Sequence, residues 1–386
     1  MKQLTIQYEN IEKELTYIFQ KRNVKRLFIV GTKSMFQLPF FHMLECILEK
    51  LEIKRNCFMG FSPNPKYEEV VESVNAFRQS RSQFLMAIGG GSAIDVAKCV
   101  KLFAELNTDQ NLLEQVIIPN NIPLMAVPTT AGTGSEATQF AVIYKDGEKK
   151  SINYKDGLPQ YVVLDPYNLL SLPLYQKKAT LCDALSHAIE SFWSVHSTPE
   201  SRLLSKEAIT LVLSNMNGYL DNDFNACENM LRAANIAGHA INIAFTTAAH
   251  AMSYIITSIY GIAHGHAVIL CLPEVWEYMW NHVEKCTDKR GSQYVQFMMV
   301  EIAKCMSQDT SEEAIRYLKC LRRKLKFPQL ADVSEGQFKK MIQSVNRERL
   351  SNSPIYWDLD SIAHVYKNVL REAGYGNTEI YGSIEC

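Results

Sequence analysis

The sequence predicts two unlike halves: an α/β N-terminal domain over residues 1–173 and an all-helical C-terminal domain over residues 174–386. Two observations carry this. Before residue 167, four short apolar runs each stop at Gly or Pro, with helical patterns between them. From about Leu174 the strand signal fades and helical periodicity takes over, with Pro159, Pro166 and Pro173 at the junction. Continuous apolar runs are what parallel strands covered on both faces look like. Strand–helix alternation then places ligands at the carboxyl ends of the strands.

In chain order, Arg26–Val30 is the first such run and stops at Gly31. Tyr67–Gln79 has helical spacing and leads to Gln83–Ile88, which stops at Gly89. Ile94–Leu106 reads as the next helix, and Leu124–Val127 as a strand closed by Pro128. Tyr161–Leu164 is closed by Asp165-Pro166. Ala179–Val195, Ser201–Leu220 and Cys227–Phe245 open the helical half.

With 386 residues the chain is long enough for a core in each half. Forty basic residues against 41 acidic ones exclude a globally basic nucleic-acid binder. No window reaches the ~18 apolar residues of a membrane span. The N-terminus shows no apolar signal region, so a cytoplasmic protein is expected. The ten cysteines form no CxxC pair and read as small core residues in a reducing compartment.

Two loops carry a ligand signal. Gly89-Gly90-Gly91-Ser92 follows a strand and opens a helix that includes Asp95. Glycines there let a backbone approach a phosphate, and free amides at a helix start favour the anion. The segment is neither GxGxxG, since Ile94 holds the last glycine position, nor a Walker A loop. A tight strand–helix turn is the plainer alternative. Pro128 to Thr138, with Thr129, Thr130, Thr133 and Ser135, also follows a strand and is rich in hydroxyl groups. It is either a solvated loop or a polar ligand surface, and two such loops at two strand ends favour a dinucleotide.

Asp183 and His187 are four apart and share one face of a helix that is apolar nearly all round. A buried carboxylate and imidazole need a partner. For the pair alone a simple Asp–His hydrogen bond in the core is the favoured reading, and a divalent metal is the alternative. His250, His264 and His266 stand in similar surroundings. An aspartate and three histidines in one helical domain make a candidate Fe²⁺ or Zn²⁺ site. Since Gly265 separates His264 from His266, either one or both face the pocket.

Taken together, the segments Gly89–Lys98, Pro128–Thr138, Asp183–Glu190, His250–Met252 and Ala263–Gly265 resemble the iron-containing (group III) alcohol dehydrogenases, in order and over nearly the whole chain. The resemblance implies a Rossmann-like N-domain, a dehydroquinate-synthase-like overall architecture and an active site between the domains. It also implies a homodimer and NAD(P)-dependent interconversion of aldehydes and alcohols. Its metal ligands fall on Asp183, His187, His250 and His264. Its cofactor-binding positions fall on Gly89, Gly90, Gly91, Ser92, Asp95, Thr129, Thr130, Thr133 and Ser135, with Lys150 near the nicotinamide ribose.

Two departures sharpen the expectation. Members often carry an aspartate after the first strand that disfavours the 2′-phosphate of NADP; here Thr32, Lys33 and Ser34 follow Gly31, so NADPH is expected to be accepted. Where many members have a second histidine after the His250 block, this chain has Tyr254, and it gains His266. These two are the candidates for proton relay, and His266 also for an anionic substrate. Within the family, the segments His250–Tyr254, Gly261–Val268, Phe140–Ile152 and Val345–Asn352 are together similar to those of phosphonoacetaldehyde reductases, which make 2-hydroxyethylphosphonate. The alternatives are a neutral alkyl or polyol substrate and, more remotely, a dehydroquinate-synthase-like lyase.

Overall fold

The computed structural model describes residues 3–331 and 333–372. The chain divides into two compact units, Met1–Leu172 with Asp221–Gly238, and Pro173–Leu220 with His239–Cys386. Segment Asp221–Gly238 joins the first unit through Phe224, whose ring meets Tyr8 at 5.1 Å, and Asn235, which donates to Glu136.

In the first unit, β1 (Leu4–Gln7) leads to α1 (Ile11–Lys21), β2 (Arg26–Gly31), α2 (Pro39–Lys50) and β3 (Lys54–Phe58). Then come α3 (Tyr67–Ser80), β4 (Phe84–Gly89), α4 (Gly91–Phe103), β5 (Leu124–Pro128), the hairpin β6 (Phe140–Lys145) and β7 (Glu148–Asn153), β8 (Tyr161–Leu164) and α5 (Tyr167–Leu170). Six strands form one parallel sheet in the order β1-β8-β5-β4-β2-β3. Alternate residues of each central strand enter different cores. Leu27, Ile29, Phe84, Met86 and Ile88 pack with α1 and α2 residues, whereas Phe28, Val30, Leu85 and Ala87 pack with α3 and α4 residues. That double cover is why these strands are apolar without alternation. The hairpin turns on Asp146 and Gly147, both at positive φ (54° and 76°), as a two-residue turn matched to strand twist requires.

The second unit is helical: α6 (Leu174–Trp193), α7 (Pro199–Leu220), the end of α8 (Phe224–Ala244), α9 (Ala248–Tyr260), α10 (His264–Asn281), α11 (Ser292–Cys305), α12 (Ser311–Leu325), α13 (Glu335–Gln343), α14 (Arg347–Leu350) and α15 (Leu359–Glu372). Helix α6 is its centre, and every side chain from Leu181 to Trp193 is buried. Trp193 and Trp276 meet edge to face at 5.2 Å in the core. Among the described residues no helix is long and apolar enough to cross a membrane. Eight cysteines are free thiols, and Cys99, Cys182, Cys227 and Cys271 are buried core residues as expected. Cys320 is disulfide-bonded and Cys46 is exposed, which corrects the reading of all ten as small core residues in a reducing compartment. Cys386 lies outside the described residues.

Candidate metal centre and dinucleotide loops

Helix α6 presents Asp183, His187 and Glu190 at spacings of four and three, so all three side chains leave one face. Helix α9 faces them with His250, and the first residue of α10 adds His264. Donor atoms of Asp183, His187 and His250 lie within 4.8 Å of one another. Asp183 Oδ1 is 3.5 Å from His250 Nε2, 3.9 Å from His187 Nε2 and 4.0 Å from His264 Nε2. A tetrahedral ion with bonds of about 2.1 Å holds its ligand atoms about 3.4 Å apart, so these separations surround a point suited to one cation. Asp183 Oδ1 and His250 Nε2 are buried and make no hydrogen bond within the chain. Two buried polar atoms left unmatched and aimed at one point are what a cation would satisfy. Burial pushes the Asp183 carboxyl up, but the His187, His264 and His250 imidazoles around it outweigh burial and hold it well below the usual carboxylate range.

A second layer fixes this cluster. His250 Nδ1–H donates to Glu190 Oε2, which leaves the Nε2 lone pair directed at Asp183 and its neighbours. The other oxygen, Glu190 Oε1, accepts from the Thr247 hydroxyl (2.6 Å) and from the amides of Ala249 (3.0 Å) and Thr247 (3.1 Å) at the start of α9. One carboxylate therefore orients a ring and caps a helix. Helix α10 can reach α6 only because residue 265 is glycine: a Cβ there would lie 1.9 Å from Ala179 O and 2.9 Å from Asp183 Cβ. His264 stands at the margin, 31% exposed where the other three donors are buried.

In the first unit, the parallel register brings three strand ends to one edge, since Gly31 pairs with Ile88 and Gly89 with Pro128. Thr32, Lys33 and Ser34 are exposed there, with Thr32 and Ser34 hydroxyls 2.8 Å apart. Gly90 caps α4 without a side chain. None of Gly89, Gly90 and Gly91 has positive φ; what requires glycine is close approach. A Cβ on Gly90 would press on Thr130, and one on Gly91 would sit 3.0 Å from Thr133. Thr129 hydrogen-bonds Gly89 O, so the two loops form one surface. Asp95 and Ser135 are engaged inside it: Ser135 Oγ donates to Asp95 Oδ1 (2.6 Å), and Asp95 Oδ2 accepts from Val142 N (3.0 Å). The buried Lys98 donates to Ser135, Thr138 and Phe140 O. Lys150, on β7, pairs with Glu148 at 2.7 Å.

Two family models match this chain: iron-containing alcohol dehydrogenase over residues 4–166, and the C-terminal part of the same family over residues 177–370. The chain belongs to the iron-containing alcohol dehydrogenase family. A divalent metal and NAD(P) are the cofactors of that family. The phosphonoacetaldehyde reductase of Streptomyces viridochromogenes is 32% identical over 265 residues, 64% of this chain and 67% of that one. Aldehyde-alcohol dehydrogenases, such as that of Entamoeba histolytica at 30% identity, are longer, and this chain spans about a third of their length. A solved iron-containing alcohol dehydrogenase matches with a TM-score of 0.83 at 26% identity, over 96% of this chain and 98% of that one. Sulfoacetaldehyde reductase from Bifidobacterium kashiwanohense in complex with NAD+ shares the fold (TM-score 0.84, 24% identity, 95% and 97% covered).

Of the two relay candidates, His266 departs from the expectation and Tyr254 does not. His266 is 1% exposed, stacked on Phe327 at 4.1 Å, and accepts from the Tyr175 hydroxyl (3.3 Å). Burial lowers its pKa to about 4, so it is neutral near pH 7 and offers no charge to an anion. Tyr254 instead lies beside the cluster, its ring parallel to that of His264 at 5.1 Å. The sequence reading assigned no role to Glu190, whose signal was a carboxylate on the buried face of α6, or to Arg349, which donates to the Tyr254 hydroxyl at 2.7 Å.

Proposed function

We propose that this chain reduces a small aldehyde bearing an anionic group to a primary alcohol with NADPH or NADH, and that phosphonoacetaldehyde, giving 2-hydroxyethylphosphonate, is its substrate. The observation that carries the reading is the convergence of Asp183, His187, His250 and His264 on one point. These four would hold a divalent cation, Fe²⁺ or Zn²⁺ by donor chemistry. Such a cation supplies a Lewis acid that draws electron density from the aldehyde oxygen, and NAD(P)H supplies the hydride.

The chain's own residues do the rest. Glu190 holds His250 with its lone pair toward the centre. The buried side chains of α6 exclude water from behind the cluster, and the half-exposed side at His264 is where substrate approaches. Arg349 donates to the Tyr254 oxygen, so the phenol's own proton points elsewhere, and Tyr254 delivers a proton to the product oxygen. Amides at the start of α4, with Ser92, Thr129, Thr130 and Thr133, take the diphosphate. Lys33 with Thr32 and Ser34 takes the 2′-phosphate of NADPH, and Lys150 serves the nicotinamide ribose. The protein works as a cytoplasmic homodimer.

An aldehyde panel with metal-reconstituted protein tests the reading. Consumption of NADPH with phosphonoacetaldehyde, at a higher kcat/KM than with propanal or glycolaldehyde, is expected. Equal or better turnover of the neutral aldehydes would move the assignment to an alkyl or polyol substrate. NADH at least as efficient as NADPH would remove the role given to Lys33.

A further inference from the structure

We propose that Tyr175 is a positioning residue for His264: its hydroxyl, aimed by His266, fixes the peptide that carries His264 into the Asp183 cluster. The proposal rests on the reading of that cluster as a cation site and names what sets its open side.

Helix α6 carries Tyr175, Ala179, Asp183 and His187 at spacings of four, on successive turns. The last two are candidate ligands. The first two meet the entry of α10, whose first residue is His264. At Ala179 the approach is so close that a Cβ on residue 265 would lie 1.9 Å from its carbonyl oxygen. One turn earlier, Tyr175 Oη accepts from Ala263 N at 3.0 Å. Helix α10 starts without a side-chain cap, since its N-cap residue is Ala263. The Ala263 carbonyl accepts from Ala267 N at 3.2 Å, and its N–H goes to Tyr175. Both polar groups of the residue before His264 are therefore engaged, one with the helix it starts and the other with α6.

A phenol hydroxyl that accepts from an amide has one proton left to give. His266 Nδ1 lies 3.3 Å from Tyr175 Oη to take it. His266 is buried and stacked on Phe327, with ring centres 4.1 Å apart and planes 11° from parallel. Tyr175 stands edge-on to both rings, at 6.1 Å from each. Aromatic rings favour such edge-to-face packing, so ring contacts hold the phenol while the imidazole aims its proton. A lone pair of the hydroxyl is left facing Ala263 N.

His266, turned away from the cluster, thus acts on it from behind, through Tyr175 and the Ala263 peptide. Other candidate ligands are placed differently: Asp183 and His187 lie within α6, and Glu190 holds His250. His264 is the most exposed of the four, and its Nε2 is 4.0 Å from Asp183 Oδ1, the longest of the three such separations. Its backbone position follows from how α10 enters, which is what the Tyr175 bond controls. Outer groups that orient a ligand are worth about 10- to 100-fold in metal affinity.

The test compares wild type with Tyr175→Phe, His266→Asn and His266→Leu, all stripped of metal and titrated with Co²⁺ against a competing chelator. Phenylalanine keeps the ring and loses the hydroxyl. Asparagine keeps an acceptor near the Nδ1 position, and leucine removes it. Thermal melts of the metal-free forms read the cost in stability separately. Tyr175→Phe is expected to weaken Co²⁺ binding about 10-fold and to change the visible spectrum of the Co²⁺ form. His266→Leu does likewise, and His266→Asn recovers part of the affinity without recovering the melt. A purely structural role would lower the melts and leave the affinity and spectrum of the folded protein unchanged. Wild-type Co²⁺ affinity, within about threefold, with an unaltered spectrum in Tyr175→Phe overturns the proposal while the cation site stands. Equal affinity in His266→Asn and His266→Leu overturns it as well, and decides the matter should Tyr175→Phe not fold. If wild type itself binds no Co²⁺, the cation site falls and the proposal falls with it.

Discussion

The tightest approach in the helical unit gives the most exposed prediction. Replacing Gly265 by alanine adds one carbon, which the unaltered backbone would place 1.9 Å from Ala179 O and 2.9 Å from Asp183 Cβ. An ordinary C···O contact is about 3.3 Å, so α10 must move roughly 1.4 Å away from α6 at this point. The obstacle is backbone, which cannot swing aside. His264 sits one residue before the substitution and must move with it, whereas metal–ligand distances tolerate only about ±0.2 Å. We expect Gly265→Ala to weaken Co²⁺ and Zn²⁺ binding at least ~100-fold. Overpacking should also cost the metal-free protein about 1–3 kcal/mol. Metal-to-protein ratios after dialysis and the visible spectrum of the Co²⁺ form read the first effect, and thermal melts the second. Wild-type Co²⁺ affinity, within about threefold, together with an unaltered Co²⁺ spectrum would refute the reasoning that this glycine sets the ligand geometry.

Other outcomes follow from the same contacts. Glu190→Gln keeps a shape that can cap α9 but loses the charge behind His250; metal affinity, measured by chelator competition, should drop about 10- to 100-fold. His266→Ala should destabilise the protein by about 2–3 kcal/mol through loss of its stack on Phe327, while KM for phosphonoacetaldehyde and propanal shifts by the same factor; a selective rise for the phosphonate would restore the anion-binding role to His266. Lys98 supplies a pH test. Burial, only partly offset by Asp95 and Glu136, lowers its pKa to about 8. Between there and the usual lysine value of about 10.4, the unfolded chain holds a proton that the folded one has released, so stability rises with pH in that window and the full penalty is present below it. Denaturant melts of wild type should therefore gain on those of Lys98→Met by on the order of 3 kcal/mol from pH 7 to pH 10.5, and a flat difference would contradict the burial of the ammonium.

What could be read from the sequence depended on how many faces of an element are buried. Strands β2, β4, β5 and β8 announced themselves because central parallel strands are apolar on both sides. Strand β3 did not, since Lys54, Arg55 and Asn56 make a polar edge, and β1 is only four residues long. The Asp146-Gly147 pair is a hairpin signal that locates β6 and β7 by turn chemistry alone. The Asp/His cluster was legible for the converse reason: polar side chains in helices that are apolar all round have few roles open to them. Glu190 shared that signature and the helical face, yet its purpose appears only when α9 arrives with a ring and three donors to receive it. His266 shows the limit of proximity in sequence. Two residues along a helix from His264 is a rotation of about 200°, and it turns the ring from the cluster to Phe327 and Tyr175. Arg349 stood in the Val345–Asn352 segment that carries the resemblance, but its contact was beyond reach because Tyr254 is 95 residues away and the capped α14 sets their meeting.

All four tryptophans, at positions 193, 276, 280 and 357, lie in the helical unit. Trp193 Nε1 donates to the Thr247 hydroxyl at 3.0 Å, and that hydroxyl donates to Glu190. One indole is thus a single side chain removed from the carboxylate that steers His250. The molecule carries its own optical reporter: emission excited at the indole band follows the helical unit and stays silent about the α/β unit. Titrating iron into stripped protein while watching that emission would register occupancy without any label, substrate or turnover.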